Sequence, residues 1–192
     1  MDGAETDEVL VRRFREGDAG AFGTLVERHG RRVYNVCLRI LGDPDEAADA
    51  SQDAFVTAIR KLHTFRGDAA FTTWLHRVTV NACYDSLRRK RRRPMLHVVA
   101  DEDRPHAGPA VADHAERVDL SVDVARALRE VPEEFRVALV LADVEDLPYD
   151  RIAEILEVPV GTVKSRVFRG RAALARALGE PSDRSRASEA EA

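Results

Sequence analysis

The sequence has few cysteines and few aromatic residues. Its 192 residues include two Cys, Cys37 and Cys83, and only 6% are Phe, Trp or Tyr. Two cysteines that form no C-x-x-C motif are too few for a disulfide framework, so we expect a protein of a reducing compartment. The low aromatic content, combined with 33% charged residues, is typical of helical proteins rather than of β-sandwiches or barrels.

A long hydrophobic run is also missing. The longest purely apolar run, Val137 to Ala142, is far shorter than the roughly 20 residues that cross a membrane. The N-terminus shows no apolar region of the kind found in a secretory signal. We therefore expect a soluble protein of the cytoplasm.

Motifs of catalysis and metal binding are absent from the sequence. It has no H-E-x-x-H pairing, no serine–histidine or cysteine–histidine unit and no Gly-rich phosphate loop. A nuclease is the enzyme to consider, because Asp45, Asp49 and Asp53 are spaced at i, i+4 and i+8. That spacing puts three carboxylates on one side of a helix, where they cannot surround an ion. We therefore expect no enzyme: no catalytic residue, metal, cofactor or small-molecule substrate.

Charge is segregated along the chain, although the formal net charge is only -4. Residues 60–93 contain ten Lys or Arg and two Asp, and residues 161–176 contain five Lys or Arg and no acid. Residues 94–123, in contrast, contain seven carboxylates and two Arg. Basic patches separated by an acidic stretch predict phosphate contacts at two places in the chain.

The first half of the chain predicts consecutive helices, because apolar residues recur at spacings of three and four. One apolar stripe consists of Val33, Val36, Cys37, Ile40 and Leu41. After it, Asp43 should cap the next helix, Pro44 should occupy the first turn and Glu46 should close a capping box.

The helix that starts near Pro44 has two contrasting faces. Phe55, Ile59 and Leu62 are spaced at i, i+4 and i+7, so we expect them to face the core. The opposite side forms an acidic ridge of Asp45, Asp49, Gln52 and Asp53.

A further helix follows the turn at residues 66–68. Its predicted core arc consists of Leu75, Val78, Ala82 and Cys83. The helix ends in the basic cluster 88–93, and Pro94 stops it.

The second half predicts a linker followed by a helix-turn-helix. Residues 94–121 have no apolar period, so we expect a flexible acidic linker between a first domain (1–93) and a second (122–178). The second domain contains two short helices, Tyr149 to Leu156 and Thr162 to Leu178, which form the helix-turn-helix. A disordered tail is expected over residues 179–192.

The second helix of this motif suits the DNA major groove. Its apolar residues Val163, Val167, Gly170 and Leu174 recur at i, i+4, i+7 and i+11 and should face inward. The polar residues left for the surface are Thr162, Lys164, Ser165, Arg166, Arg169 and Arg171. Arginines read guanine edges or hold the phosphate backbone, and a helix N-terminus favours phosphate.

Three motifs in order resemble the extracytoplasmic-function (ECF) sigma factors of RNA polymerase, in the sigma-70 family, over nearly the whole folded length. Residues 43–55, DPDEAADASQDAF, resemble the family's polymerase-binding helix. The run FRGD at 65–68, followed by Trp74, Asn81 and Asp85, resembles its promoter-melting segment. LPYDRIA at 147–153 and GTVKSR at 161–166 resemble its upstream-element reader.

The resemblance implies an all-α protein with two helical domains, sigma region 2 and the helix-turn-helix region 4, and assigns three sites. Asp49, Gln52 and Asp53 would bind core polymerase, at its beta-prime and beta subunits. The −10 promoter element would be bound by Lys61, Trp74, Arg77, Asn81, Arg88 and Arg89. The −35 element would be bound by Thr162, Lys164, Ser165, Arg166, Arg169 and Arg171.

The resemblance also implies a second protein partner, an anti-sigma factor, which in this family can be anchored in a membrane. Two interpretations of the acidic linker stay open. Its carboxylates would imitate nucleic-acid phosphates inside the polymerase, or their charge would simply extend a tether. Cys37 and Cys83 occupy apolar helix positions, so we expect them to be buried and inert rather than redox sensors.

A stand-alone helix-turn-helix regulator is the alternative function. It would account for residues 122–178 and leave the acidic ridge and the segment 74–93 without a role. Such a regulator would bind duplex DNA tightly without polymerase, whereas a sigma factor of this class needs the polymerase.

Overall fold

The computed structural model of the chain describes residues 5–65, 67, 69–92 and 122–179. The described helices fall into two compact units, the first before residue 117 and the second after it. In the described ranges every regular element is helical. The all-α fold with two helical domains is thereby confirmed, whereas the predicted linker lies outside the described residues.

In its described residues the first unit contains four α-helices: α1 (Asp7–Arg15), α2 (Ala19–Leu41), α3 (Pro44–Lys61) and α4 (Phe71–Arg92). A short 3-10 turn, Leu62–Thr64, follows α3. Helix α2 packs against the other three helices, and α3 packs against both α2 and α4. The helix that carries the acidic ridge is therefore fixed on two sides.

The break between α2 and α3 has the predicted cap at Asp43 and the predicted proline, whereas the Glu46 carboxylate lies 2.8 Å from Lys90 of α4. Helix α2 ends at Gly42, whose φ of 76° lies in the left-handed region that glycine adopts without strain. The Asp43 side chain caps α3 by accepting hydrogen bonds from the backbone N–H groups of Asp45 and Glu46. Pro44 occupies the first turn, where its missing N–H costs nothing.

The core of the first unit confirms two of the predicted stripes and corrects the third. Each residue of the α2 stripe and of the predicted α4 arc is buried. In the third stripe Leu62 is completely buried, as predicted, whereas Ile59 is 41% exposed and Phe55 is half-buried. The residues of α3 that are buried completely are Ala47, Ala50, Ala54 and Ala58. Small side chains let α3 approach α2 and α4 closely, so the alanine face is the inner one.

The second unit contains α5 (Val122–Glu130), α6 (Glu133–Leu139), α7 (Tyr149–Leu156) and α8 (Val160–Gly179). A π turn, Val140–Val144, extends α6. Helix α8 packs against α5, α6 and α7, and α7 with α8 forms the helix-turn-helix.

The helix-turn-helix lies close to where the sequence puts it. Helix α7 has the predicted bounds, and α8 begins two residues earlier than predicted, at Val160. Between them Glu157 adopts a left-handed φ of 54° and ends α7. Gly179 is the last residue of α8, and the rest of the predicted tail lies outside the described residues.

Inward packing of α8 also follows the sequence pattern. Val163, Val167 and Gly170 are buried, and Leu174 is half-buried. A Cβ at Gly170 would lie 3.0 Å from the Phe135 carbonyl oxygen, so glycine marks a close approach of α8 to α6. No helix among the described residues is long and apolar enough to span a membrane.

Candidate functional site

The acidic ridge of α3 is an exposed surface. Asp49, Gln52 and Asp53 are all exposed on the side of the helix away from its alanine face. Two large apolar side chains, Val56 (46% exposed) and Ile59, lie on the same side of α3 at helical spacing from the ridge. The sequence period with Phe55 and Leu62 had placed Ile59 in the core, and Val56 belonged to no predicted face.

Ion pairs connect the acidic ridge to the basic end of α4. Arg89 lies 3.0 Å from Asp53, and Lys90 lies 2.8 Å from Glu46. The structure therefore brings a predicted polymerase-binding residue and a predicted −10 residue into contact. Both members of the Asp53–Arg89 pair are more than half exposed, so the pair adds little stability and its members can exchange partners at low cost.

Four of the predicted −10 residues share one side of α4. Trp74, Arg77, Asn81 and Arg88 follow one another at intervals of three, four and seven residues, which aligns them along a helix. Asn81 and Arg88 are exposed, and Trp74 and Arg77 are half-buried. The two remaining predicted residues lie elsewhere: Arg89 faces Asp53 of α3, and Lys61 is the exposed last residue of α3.

Trp74 is both a packing residue and a partly exposed one. Its ring lies 5.5 Å from that of Phe65 and 5.7 Å from that of Phe71, measured between centroids. This aromatic cluster fixes the indole at the surface of α4, two turns before Asn81. A half-exposed, immobilised ring has the geometry that stacking of an unpaired base requires.

The outward side of α8 carries most of the predicted −35 residues. Lys164, Ser165 and Arg169 are exposed, and Thr162 is half-buried. The Ser165 hydroxyl donates to the Thr162 carbonyl oxygen at 3.0 Å. The Arg169 guanidinium lies 5.8 Å from the centre of the Phe135 ring, which supports it from α6.

Two arginines of α8 lie at its edges and pair with carboxylates of the same unit. The Arg166 side chain is only 21% exposed and lies 3.1 Å from Glu134 of α6. Periodicity had put Arg166 on the outward side, and the structure corrects this position. Arg171 donates hydrogen bonds to Asp143 from Nε at 2.9 Å and from Nη2 at 2.6 Å. These hydrogen bonds and the charge of Asp143 raise the pKa of Arg171 above its usual value.

Phe168 is the surface residue of α8 that sequence reasoning missed. It is 74% exposed and lies three residues after Ser165 and four after Lys164, on the same side of the helix. The signal for it was present, since Phe168 falls outside the inward series Val163, Val167 and Gly170. A large exposed aromatic on a basic helix face is a feature of interaction surfaces.

The two cysteines form a buried thiol pair between α2 and α4. Cys37 and Cys83 are both completely buried, and the Cys83 thiol donates to the Cys37 sulfur at 3.6 Å. This hydrogen bond and burial raise the pKa of the Cys83 thiol well above its ordinary value. The reactive thiolate is therefore disfavoured at neutral pH.

No group of three or more His, Cys, Asp or Glu is arranged to hold a metal ion within the part of the chain that the structure describes. The surfaces that remain are one acidic face with two apolar residues and two basic faces, each carried on a helix. Together they define a binding protein with a helix-turn-helix in its second unit.

Family models match both units of the chain. The model of sigma-70 region 2 matches residues 25–93, and a model of sigma-70 region 4 matches residues 121–174. The first range includes the ridge of α3 and the basic face of α4, and the second includes the helix-turn-helix.

Curated relatives match almost the whole chain. The RNA polymerase sigma-H factor of Pseudomonas aeruginosa is 38% identical over 185 residues, which cover 91% of this chain and 94% of the relative. The ECF RNA polymerase sigma-E factor of Escherichia coli is 38% identical over 177 residues, covering 88% and 92%. The chain therefore belongs to the ECF sigma factors of the sigma-70 family. It is a transcription initiation factor that directs RNA polymerase to promoters.

Solved structures show the same fold. CnrH, in complex with the cytosolic domain of CnrY, matches with a TM-score of 0.67 and 27% identity over 93% of this chain and 100% of that one. RpoE of Bartonella quintana, in complex with the anti-sigma factor NepR, matches with a TM-score of 0.65 and 23% identity over 84% and 98%.

Proposed function

We propose that this sigma factor divides its work among three helical surfaces. The outward face of α3 binds core RNA polymerase, the exposed side of α4 captures the melted −10 element, and α8 recognises the −35 element. The proposal depends on the exposure of one acidic and two basic helix faces in a chain of this family. The molecule has no catalytic step of its own and acts in the cytoplasm, where its polymerase and DNA are.

The polymerase-binding surface combines charge with apolar contact. The carboxylates of Asp49 and Asp53 favour a basic partner surface, which the beta-prime and beta subunits would provide. Val56 and Ile59 extend the surface with apolar area, and burial of such area against a partner supplies affinity that charge alone does not. If a cation of the polymerase replaced Arg89 as the partner of Asp53, Arg89 would become available to bind DNA.

On α4 the four aligned residues suit single-stranded DNA. Trp74 offers a ring for stacking, Asn81 offers hydrogen bonds to a base edge, and Arg77 and Arg88 offer charge for the backbone. These are the groups required once the duplex has been opened. A duplex reader would need no aromatic platform.

On α8 the surface residues suit the major groove of duplex DNA. Lys164 and Arg169 offer donors for guanine edges or phosphates. The Ser165 hydroxyl can hydrogen-bond to a base edge or to a phosphate. Phe168 offers an apolar contact for a thymine methyl group, the one apolar feature that the groove presents.

An anti-sigma factor is the proposed regulator. Both solved relatives are in complex with a second protein, which for RpoE is an anti-sigma factor. A partner that covers the ridge and the apolar residues of α3 would block polymerase binding by occupying the same surface. Such a partner could itself be held at a membrane.

The test is reversal of one charge in the ridge. Asp49→Lys in the full chain should lower the affinity for core polymerase by about tenfold or more, because it puts a cation against a basic partner. The matched control is Glu27→Lys, an equally exposed acid on α2. Affinity is measured by titration of labelled chain with purified core enzyme. Equal affinity of wild type and Asp49→Lys, or an equal loss in the control, would contradict the proposal.

A further inference from the structure

Arg171 connects two elements of the second unit. It belongs to α8, and its guanidinium donates to both carboxylate oxygens of Asp143, which belongs to the π turn. A single side chain thus ties the second helix of the helix-turn-helix to the turn that precedes the motif.

We propose that Asp143 is a positioning residue that acts through Arg171 to fix α8 for recognition of the −35 element. In this arrangement Arg171 holds the helix and does not read DNA. The inference rests on the proposed function of α8 and revises the role of one of its residues.

The direction of the Arg171 side chain supports a holding role. Arg171 lies three residues after Phe168 and seven after Lys164, at the edge of the outward side of α8, yet its guanidinium is bonded to Asp143. Two of the three guanidinium nitrogens of Arg171 are engaged by Asp143. Bidentate pairing of this kind is geometrically specific, so it restrains both side chains rather than merely attracting them.

The π turn explains why Asp143 is available for this contact. Val140, Leu141 and Ala142 are buried in succession, and the backbone N–H of Glu145 donates to the carbonyl of Val140, five residues earlier, at 3.0 Å. The wider turn keeps three consecutive residues in the core and leaves Asp143 at the surface beside α8. Turns of this type are rare within helices and are frequent at functional sites.

The expected consequence is a loss of discrimination rather than of folding. Asp143 and Arg171 are both exposed, and exposed ion pairs add little to stability. Buried contacts of Leu139, Val167 and Gly170 hold α8 on α6 in any case. Base contacts, however, depend on helix alignment far more than phosphate attraction does. An α8 without the Asp143–Arg171 pair should therefore still bind DNA but discriminate less strongly between promoter sequences.

The experiment uses the full chain with core polymerase and a library of duplex templates randomised over both promoter elements. Transcripts are sequenced, and the enrichment of one upstream sequence measures discrimination. Asp143→Asn should lower this enrichment roughly threefold to fivefold, the range of a surface ion pair, with an unchanged midpoint of thermal unfolding. Glu130→Gln, which neutralises an exposed acid of α5 outside the helix-turn-helix, is the matched control and should match wild type.

A charge swap separates holding from reading. Arg171→Asp and Asp143→Arg should each lower enrichment, and the double variant should regain most of it, because the pair is re-formed with its charges exchanged. If Arg171 contacts DNA itself, the double variant will be no better than Arg171→Asp, which overturns the proposal. Wild-type enrichment for Asp143→Asn, or a swap that restores only the unfolding midpoint, also overturns it. If wild type enriches no upstream sequence at all, the proposed function of α8 fails instead.

Discussion

Phe168 is a residue at which an effect on DNA recognition can be distinguished from an effect on stability. Its ring makes up part of the solvent-facing side of α8, so Phe168→Ala removes little buried surface and should leave the midpoint of thermal unfolding unchanged. If the ring contacts a thymine methyl group, the variant should lose about 1 kcal/mol of promoter affinity, or roughly fivefold. The measurement is transcription with core enzyme from templates that carry thymine or another base in the upstream element.

Leu178 provides the control for this prediction. It is 46% exposed on the same helix and lies near the C-terminal end, away from the predicted DNA-facing residues. Leu178→Ala should retain wild-type transcription. Equal transcription by Phe168→Ala and wild type from every template would show that the ring has no part in recognition.

Among the elements, α3 has an inner face of alanines that leaves little room for larger side chains. Ala54 is completely buried in a helix that contacts both α2 and α4. Ala54→Leu adds three carbon atoms to this packed position and should lower the free energy of unfolding by about 1–3 kcal/mol. Urea titration followed by circular dichroism measures the change.

The control for α3 packing is a substitution on its other face. Val56→Leu enlarges a side chain that is already 46% exposed, and it should leave the free energy of unfolding within about 0.5 kcal/mol of wild type. If Ala54→Leu were equally harmless, the alanine face would not be the close-packed side of α3.

The elements differ in how well the sequence predicts them. The stripes of α2 and α4, the cap at Asp43 and the bounds of α7 follow from short-range patterns, and the structure confirms them. The inner face of α3 was predicted wrongly because the prediction followed the period of the large apolar residues. The alanines, whose small side chains permit close approach of the helices, were not considered. The π turn could not be foreseen, because its wider hydrogen bonding depends on what packs around residues 140–142.

The predicted sites show the same limit. Sequence reasoning selected charged residues and the helices that carry them, and the outward side of α4 agrees with the helical spacing. It could not find partners that lie far apart in the chain, such as Asp53 with Arg89 or Arg166 with Glu134. Such pairings depend on the tertiary packing of α3 on α4 and of α6 on α8. The assignments of individual residues to polymerase and DNA remain predictions.

At the scale of the whole molecule, segregated charge matters more than net charge. The chain is acidic overall, yet the helices proposed for DNA binding are basic, and acidic residues dominate the ridge proposed to bind polymerase. A molecule of this design should depend on the polymerase to bring its two DNA-binding helices to one promoter. Neither unit presents a surface that combines the functions proposed for polymerase binding, −10 recognition and −35 recognition.

The most direct test of this account is transcription by purified core polymerase with and without the chain, on a duplex library randomised over two segments. The account predicts new RNA start sites on templates that share two sequence elements at a fixed separation, none of these from core enzyme alone, and weaker use of them with Asp49→Lys. Start sites identical to those of core enzyme alone would contradict it. Tight, sequence-specific binding of the same duplexes by the chain without polymerase would contradict it as well.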